Sequence, residues 1–409
     1  MSRVPLVALL AANALSICGT TMTLLAVPWF VLQTTGSPAR TGLVAGVEVA
    51  GTVVAAVLGG PVVDRLGRRA ASVLSDLLGA AAVAAVPLLF ATTGLPFGLL
   101  LALTGVLGLV SAPGVLARSS LMPGLISRAG VSAERAAGAY DGVSRGAKML
   151  GAPLAGVLIA IWGAQQVLLV DAGTFLASAL LVGVAVPAGP GAARGIGYLA
   201  RMRMGLDYLR GDRLFRVVLA LLFATNMIDT AFVSVLAPVY ARDVLHSSVA
   251  LGLVLGTLGG GALLGTLAYT LVGPRLSRAR AFALAFLVSG APRYVVLFVE
   301  PGLPAILAVI AVCGFASGAL NPILGVLQYE RVPEGVRPMV VGLLNAGSFA
   351  GMPLGALFAG LAVQGVGLAT TLAVSGVLYL VITLGPFVFP VWRGMDRRPA
   401  EAATAAAGD

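Results

Sequence analysis

Charged residues are scarce in this sequence, and lysine and histidine are almost missing. Of 409 residues, 10% are Asp, Glu, Lys or Arg, with a single histidine and, at Lys148, a single lysine. Soluble domains carry roughly 25% charged residues. With 59% hydrophobic residues and a mean hydropathy of +1.01, the chain has too little polar surface for a water-soluble fold. The composition therefore excludes an ordinary soluble domain and predicts an integral membrane protein.

Cysteines and cofactor motifs are also few. Cys18 and Cys313 fall in separate apolar segments, so they do not indicate a disulfide framework. The sequence contains no Gly-x-x-x-x-Gly-Lys-Ser/Thr phosphate loop, no His/Cys metal cluster and no nucleophile elbow. We therefore predict no metal, no other cofactor and no enzyme activity, and we expect transport energy to come from an ion gradient.

Twelve apolar stretches are long enough to cross a bilayer. A transmembrane helix needs about 20 apolar residues for a hydrocarbon core of roughly 30 Å. The alternating polar pattern of a membrane barrel is missing from the sequence. We therefore predict an all-α membrane protein with twelve spans, at 4–32, 41–63, 70–91, 96–117, 136–162, 165–187, 214–240, 249–272, 281–299, 303–327, 339–364 and 366–392.

The arginines indicate the orientation of these spans. With both termini in the cytoplasm, the inner loops and tails hold nearly all of them, Arg118 included, and the outer ends hold only Arg40 and Arg242. This asymmetry is the positive-inside pattern. We attribute the net charge of +10 to orientation and to contact with anionic lipid, and we expect no nucleic-acid partner.

The chain divides near residue 200. Residues 189–213 form the longest polar segment and are predicted to be a cytoplasmic linker with an interfacial amphipathic helix. The expected domains are an N-terminal six-helix bundle at 1–188, a C-terminal six-helix bundle at 214–393, and a disordered cytoplasmic tail at 394–409.

The two predicted bundles contain related motifs. Gly151-Ala-Pro153-Leu-Ala-Gly156 in the fifth span resembles Gly351-Met-Pro353 in the eleventh, 200 residues later. Small residues and proline in a span permit close packing and hinge-like movement, so we mark these five as packing or hinge residues. Two pseudo-symmetric six-helix halves are typical of transporters that bind substrate between the halves.

The loop between the second and third spans carries a glycine, acid and arginine pattern, Gly60-x-x-x-Asp64-Arg65-x-Gly67-Arg68-Arg69. By residue type, spacing and position it resembles the same loop of the major facilitator superfamily, and the resemblance covers nearly the whole chain. It implies the major facilitator fold and a conformational latch formed by these six residues. Anchoring of the loop at the inner surface by its arginines is compatible with that role.

A narrower resemblance is to the drug:proton antiporter branch that holds macrolide-efflux, enterobactin-exporter and actinobacterial multidrug-efflux proteins. It rests on three segments, Pro28-Trp29-x-Val31-Leu32-Gln33, Pro113 through Arg118 to Pro123, and Gln328-x-x-Arg331-Val332-Pro333. Related exporters often carry an acid in the middle of the first span, where this chain has Gly19-Thr20. The predicted fourth span also lacks an arginine used by other branches. The residues that couple transport to protons must therefore be identified from the charged residues of this sequence and not from the usual positions in the family.

Acids inside the predicted spans are the candidates for proton coupling. A charged side chain costs at least about 2.5 kcal/mol at the centre of a membrane helix, so it should face the bundle interior, a cavity or another charge. Asp229 follows Arg216 by 13 residues, about 20 Å along a helix and close to mid-membrane. Glu48 lies slightly outward of the middle of the second span. Each can bind and release a proton, or form a structural ion pair with Arg293 or Lys148.

Further polar residues are candidates for a substrate cavity. Arg145 and Lys148 share one face of the fifth span with Asp141. They either contact substrate or, for Asp141 and Arg145, pair at the inner mouth. The other candidates are Asn226, Asn321, Asn345 and Arg293. The alternative role is helix packing for the asparagines and ion pairing for Arg293. Asp76 is expected to pair with the nearby loop arginines and Asp171 to reach water.

These features predict a secondary transporter of the bacterial cytoplasmic membrane that exports small amphipathic molecules by proton antiport. The expected partners are a small-molecule substrate, protons and membrane lipids, and the resemblance implies a monomer. Two alternatives stay open at this point. One is a siderophore or lysophospholipid carrier, and the other is a non-transporting receptor or assembly protein on the same fold.

Overall fold

The computed structural model describes residues 3–187 and 198–396, and all regular structure within these ranges is helical. Twelve helical segments there are long and apolar enough to cross a membrane. We number them spans 1 to 12: Val4–Thr35, Pro38–Leu66, Arg68–Thr92, Phe97–Ala129, Ala133–Trp162, Ala164–Ala185, Arg213–Asp243, Ser248–Val272, Arg278–Val299, Leu303–Arg331, Arg337–Val366 and Leu368–Val388. The predicted linker residues 189–197 and the predicted tail residues 397–409 lie outside the described residues.

The predicted all-α membrane fold with twelve spans is confirmed, although several ends differ. Span 4 continues to Ala129, and Pro113 and Pro123 lie inside this helix without ending it. Span 2 begins at Pro38, where the Ser37 hydroxyl caps the helix by accepting from the backbone amide of Arg40. Gly36 after span 1 has a φ of 64°, a left-handed conformation that glycine adopts without strain and that ends a helix in a tight turn.

Four spans of the C-terminal half are interrupted. Span 7 contains a π-helical segment, Phe232–Leu236, and Pro238 is the second residue after it. Proline lacks the amide that would continue the helical ladder, so an irregular turn next to it is expected. Span 9 is broken at Gly290, span 10 after Ser317 and span 11 after Phe349. These breaks are places where a helix can bend.

The first compact unit consists of Met1–Arg194, Thr230–Gly256 and Met352–Val366. Within it, span 1 packs against spans 5 and 6, span 2 against span 4, and span 3 against spans 4 and 6. The second part of span 11 packs against span 2. Leu9 and Val182 belong to an apolar cluster that joins spans 1, 4 and 6. This packing brings polar groups of spans 1, 3, 4 and 6 together.

The second compact unit consists of Gly195–Asp229, Thr257–Gly351 and Gly367–Asp409. Within it, span 9 packs against spans 10 and 12, and a linker helix, Tyr198–Gly211, packs against the first part of span 11. The Tyr208 hydroxyl donates to the Arg331 carbonyl over 2.8 Å. Burial raises the pKa of Tyr208, so this hydroxyl remains a donor at neutral pH.

Candidate functional site

Asp229 lies on span 7 just before the π-helical segment. Its carboxylate accepts a hydrogen bond from the guanidinium of Arg293 on span 9, and the two side chains form an ion pair. The Arg293 side chain is 6% exposed, whereas that of Asp229 is 36% exposed. The structural pairing that the sequence left open is therefore present, and it combines a buried cation with a partly accessible acid.

Two tyrosine rings flank the guanidinium of Arg293. Its central carbon lies 5.1 Å from the ring centroid of Tyr294 and 5.2 Å from that of Tyr379, distances at which a ring face attracts a cation. Both tyrosines are buried. Gly290 leaves room for the second ring, because an added Cβ there would lie 1.7 Å from a ring carbon of Tyr379. The cation is thus held in place, and the acid is the accessible member of the pair.

The three candidate asparagines lie in different settings. Asn226, one turn before Asp229 on span 7, donates from its side chain to the Ser348 carbonyl of span 11 over 3.1 Å. Asn321 of span 10 and Asn345 of span 11 are exposed. Asn226 therefore joins two helices, while the other two side chains lie at the surface of the described structure.

A second buried ion pair joins Asp76 of span 3 to Arg118 of span 4. Arg118 Nη1 lies 2.9 Å from Asp76 Oδ1, and both side chains are 2% exposed. The Ser178 hydroxyl of span 6 donates to Asp76 over 2.6 Å. The Ser16 hydroxyl of span 1 accepts from Arg118 Nη2 over 3.0 Å. This cluster ties four spans of the first unit together around one neutralised pair.

The predicted position of Arg118 in an inner loop is wrong, because span 4 continues well past it. The expected pairing of Asp76 with the loop arginines is wrong as well. Arg68 donates to the Ser120 carbonyl over 3.1 Å, and Arg69 donates to a carbonyl of span 6. An arginine directly after an apolar stretch, with an acid on the preceding span, was the signal that could have identified this pair.

The predicted loop between spans 2 and 3 is reduced to Gly67, and Gly60, Asp64 and Arg65 lie in the last turns of span 2. Asp64 and Arg65 are exposed, and neither side chain makes a hydrogen bond or ion pair with the described residues. Gly67 has a φ of 82°, which favours glycine. An added Cβ at Gly60 would meet nothing within 4 Å. Asp64 and Arg65 are thus available for a partner.

Asp171 of span 6 does not reach water as expected. It is 0% exposed, because its side chain points into the packing between spans 1 and 6. The carboxylate accepts hydrogen bonds from the hydroxyls of Thr23 and Thr174. Hydropathy alone does not report the direction of this side chain.

The remaining charged candidates are less buried. Glu48 of span 2 is half-buried and Lys148 of span 5 is exposed. Neither side chain has a hydrogen-bond or ion-pair partner among the described residues. Arg145 lies 3.9 Å from Asp141, with exposed fractions of 42% and 72%. An ion pair in such a setting contributes little to stability, so span 5 presents two accessible cations.

The glycine and proline motifs lie at close contacts between helices. An added Cβ at Gly156 would lie 2.6 Å from the Ser248 carbonyl oxygen and 2.9 Å from the Cα of Gly252. Spans 5 and 8 therefore touch through their backbones. The other motif residues make similar approaches, each within its own unit: Gly151 to Thr21, Pro153 to Gly256, Gly351 to Phe223 and Pro353 to Gly46.

An apolar crevice of about 230 Å³ lies between spans 2, 3 and 4, lined by side chains such as Val54, Leu58 and Leu109. None of the charged candidates lines this crevice. Within residues 3–187 and 198–396, no three His, Cys, Asp or Glu side chains form a group that could hold a metal ion.

Comparisons with known proteins agree with this architecture. A family model described as Major Facilitator Superfamily matches residues 9–273 and 219–408. The chain is 32% identical over 402 residues to a protein named multidrug efflux pump Tap from Mycolicibacterium fortuitum, covering 96% of this chain and 98% of that protein. It is 30% identical over 408 residues to the protein of the same name from Mycobacterium tuberculosis H37Rv, covering 97% and 96%.

Solved transporter structures share the fold. The nucleoside transporter NupG has a TM-score of 0.79 at 13% identity and covers 95% of this chain and 100% of its own. A bacterial homologue of the human lysosomal transporter Spinster, in an inward-facing and unoccupied conformation, has a TM-score of 0.73 at 17% identity, with 96% of each chain covered. At these identities the likeness concerns the fold alone.

Proposed function

Because the chain belongs to the major facilitator superfamily, we propose that it exports small amphipathic molecules, such as drugs or natural products, in exchange for protons. Its similarity over nearly the whole length to proteins named multidrug efflux pumps supports the export of drugs. The observation that carries proton coupling is the ion pair between Asp229 and Arg293.

Protonation of Asp229 would change the balance of this pair. An ionised carboxylate neutralises Arg293, which is 6% exposed. A protonated carboxyl leaves the buried guanidinium without its counter-charge, which is costly. The two protonation states therefore favour different arrangements of spans 7 and 9. The π-helical segment beside Asp229 gives span 7 a place to bend between them.

We further propose an outer gate within the first unit, formed by Gly42, Gly156, Gly252, Gly360 and Gln364. An added Cβ at Gly42 would lie 2.9 Å from the Cα of Gly360, so spans 2 and 11 touch through their backbones, as spans 5 and 8 do. The Gln364 side-chain oxygen accepts from the Ser37 hydroxyl over 2.7 Å. We place this end at the outer surface on the basis of the positive-inside pattern, and these contacts correspond to a closed state of the proposed gate.

Gly252→Val is expected to open the outer gate. The new side chain would start 2.7 Å from the Ala152 carbonyl oxygen, so spans 5 and 8 must separate. A single cysteine at Val44, which is 1% exposed, reports the opening once both native cysteines are replaced by serine. We expect its reaction with a membrane-impermeant maleimide on intact cells to be about fivefold faster or more, the factor for a shift of about 1 kcal/mol.

The matched control for this variant is Gly259→Val on the same span. An added Cβ at Gly259 would meet nothing within 4 Å, so labelling should equal that of the parent protein. Equal labelling of the Gly252→Val protein would contradict the gate. Labelling of that protein only from the cytoplasmic face would contradict the proposed orientation.

We assign the inner latch to Gly60, Asp64, Arg65, Gly67, Arg68 and Arg69. Asp64 and Arg65 have no side-chain partner among the described residues. This suits a latch that is released while the outer gate is closed and engages when the gate opens. The proposal also comprises two six-helix halves, a linker helix at the lipid surface, a substrate site with Arg145 and Lys148 among its candidates, and a monomeric transporter.

Ethidium uptake by inverted membrane vesicles tests the proposed function. Ethidium is a cationic amphiphile that can be followed by fluorescence. A lumen made acidic should drive its uptake in vesicles that contain the protein, and nigericin, which collapses the pH gradient, should abolish the uptake. Protein-dependent uptake that is insensitive to nigericin would contradict proton antiport.

A further inference from the structure

Asp171 has a different kind of partner from the two acids that form buried or half-buried ion pairs. Asp76 is paired with Arg118, and Asp229 is paired with Arg293. Asp171, which is 0% exposed, has hydroxyl partners instead, Thr23 of span 1 and Thr174 of span 6. Within the described part of the chain no Arg, Lys or His lies within ion-pair distance of its carboxylate.

An ionised carboxylate is unstable in such a place. A buried charge needs a counter-ion as well as hydrogen bonds, and two hydroxyls supply only the hydrogen bonds. A neutral carboxylic acid needs an acceptor for its proton, and a threonine hydroxyl can accept as well as donate. The Thr174 hydroxyl can donate to the backbone carbonyl of Asp171 over 2.8 Å, which leaves its oxygen able to accept. The surroundings of Asp171 therefore suit the protonated form.

Span 1 is shaped to receive this acid. An added Cβ at Gly19 would lie 1.9 Å from Asp171 Oδ1 and 2.0 Å from the Thr174 hydroxyl oxygen. The carboxyl of span 6 thus occupies the space that a side chain at Gly19 would fill. Gly19 itself is buried. Direct contact between an acid and the backbone surface of a neighbouring helix requires glycine at this point.

The two helices also match in register. Thr23 faces Asp171, and seven residues away on each helix Ser16 and Ser178 bind the Asp76 and Arg118 pair. Seven residues are about two turns, or roughly 10 Å. Spans 1 and 6 therefore share two polar sites, two turns apart. One is neutralised by an arginine, and the other, at Asp171, has no such cation among the described residues.

The titratable groups that act on Asp171 from the neighbouring helices are acids or thiols. They are Cys18 of span 1, Glu48 of span 2 and Asp76 of span 3. Asp76 is already neutralised by Arg118. Span 5 also packs against span 6, and its charged side chains, Glu134, Arg135, Asp141, Arg145 and Lys148, are exposed. Arg69 of span 3 reaches span 6 at the Gly183 carbonyl, 12 residues along the chain from Asp171. None of these neighbours gives Asp171 a counter-charge.

Span 1 links this site to the outer gate. Arg242, at the end of span 7, donates to the Leu32 carbonyl of span 1 over 2.9 Å. Pro28 interrupts the helical ladder between Leu32 and Thr23. The π-helical segment of span 7 packs against span 2 and the second part of span 11, so movement of these gate helices would be passed through span 7 to span 1 and would separate Thr23 from Asp171.

We propose that Asp171 is a second proton-binding carboxyl of the transport cycle, ionised while the outer gate is open and protonated from the outside as the gate closes. On closing, a hydronium ion in the water beside Thr23 gives its proton to the carboxylate, whose oxygen supplies the electron pair of the new O–H bond, and a water molecule is released. The proton leaves on the inner side later in the cycle. The assignment rests on the proposed proton-coupled transport, and it adds one site to the one at Asp229.

Infrared spectroscopy of the purified protein in lipid nanodiscs at neutral pH tests this assignment without a substrate. The C=O stretch of a protonated carboxyl, which shifts in D2O, should be present in the parent protein. Asp171→Asn should remove that band, since asparagine has the same shape and no ionisable proton. The band should persist in Asp229→Asn, and in Glu48→Gln, which controls for the other half-buried acid.

The gate variants supply the conformational part of the test. The band should be lost in Gly252→Val and retained in Gly259→Val. A parent protein without an Asp171-dependent band, or a band of equal strength in both glycine variants, would overturn the proposal. Failure of the proposed function would give a different result. Ethidium uptake would then be independent of the pH gradient, while the infrared band would still depend on Asp171 and on the gate.

Discussion

Asp229→Asn is expected to abolish proton-driven export. The asparagine side chain keeps the shape of the acid and can still accept from Arg293 through its amide oxygen, but it cannot release a proton. In inverted vesicles with an acidic lumen, ethidium accumulation should fall to the level of vesicles that lack the protein. Exchange of ethidium down its own gradient should continue, because the coupling proton and not the substrate path has been removed.

The control for this variant is Asp207→Asn in the linker helix. Asp207 is 62% exposed and lies 3.9 Å from Arg210, so its loss should leave accumulation unchanged. Because Asp229→Asn leaves the buried Arg293 without its counter-charge, the comparison uses only protein that is recovered folded and monodisperse in detergent. A folded Asp229→Asn protein that accumulates ethidium like the parent would remove Asp229 from the coupling mechanism.

Arg118→Met is expected to give the largest loss of stability in the first unit. Removal of the arginine leaves the Asp76 carboxylate, 2% exposed, without its cation. Breaking a buried pair by removing one partner costs about 3–5 kcal/mol in the free energy of unfolding. The midpoint of thermal unfolding in detergent, followed by the loss of helical circular dichroism, should fall accordingly.

A surface pair provides the matched control. Arg278 and Glu330 pair with exposed fractions of 33% and 35%, so Arg278→Met should cost at most about 1 kcal/mol. The double variant Asp76→Asn with Arg118→Met should lose less than the sum of the two single variants, since no charge is left unpaired. Equal effects of the Arg118 and Arg278 substitutions would contradict the role given to the buried cluster.

The number and approximate position of the spans could be predicted because crossing a bilayer depends on a local property. The predicted eighth span, 249–272, differs by one residue from the observed Ser248–Val272. The end of span 4 could not be placed in this way. Hydropathy treats Arg118 as a loop residue, and the acid that neutralises it is 42 residues away, on a helix whose facing side is set by packing.

The candidate site shows the same limit. The depth of Asp229 follows from counting residues, but its partner could be Arg293 or Lys148 until the faces of spans 7 and 9 are known. The buried position of Asp171 depends on the space left by Gly19, which hydropathy does not report. A spacing of seven residues, from Ser16 to Thr23 on span 1, was available in the sequence and indicates a polar stripe on one helix face.

Proton movement driven by a substrate gradient tests the central claim most directly. Purified protein is placed in liposomes that contain a pH-sensitive dye, and ethidium is added outside. Antiport predicts that the lumen becomes alkaline as ethidium enters and protons leave, and that Asp229→Asn liposomes show no such change. Entry of ethidium through the parent protein without any change of internal pH would contradict proton-coupled transport.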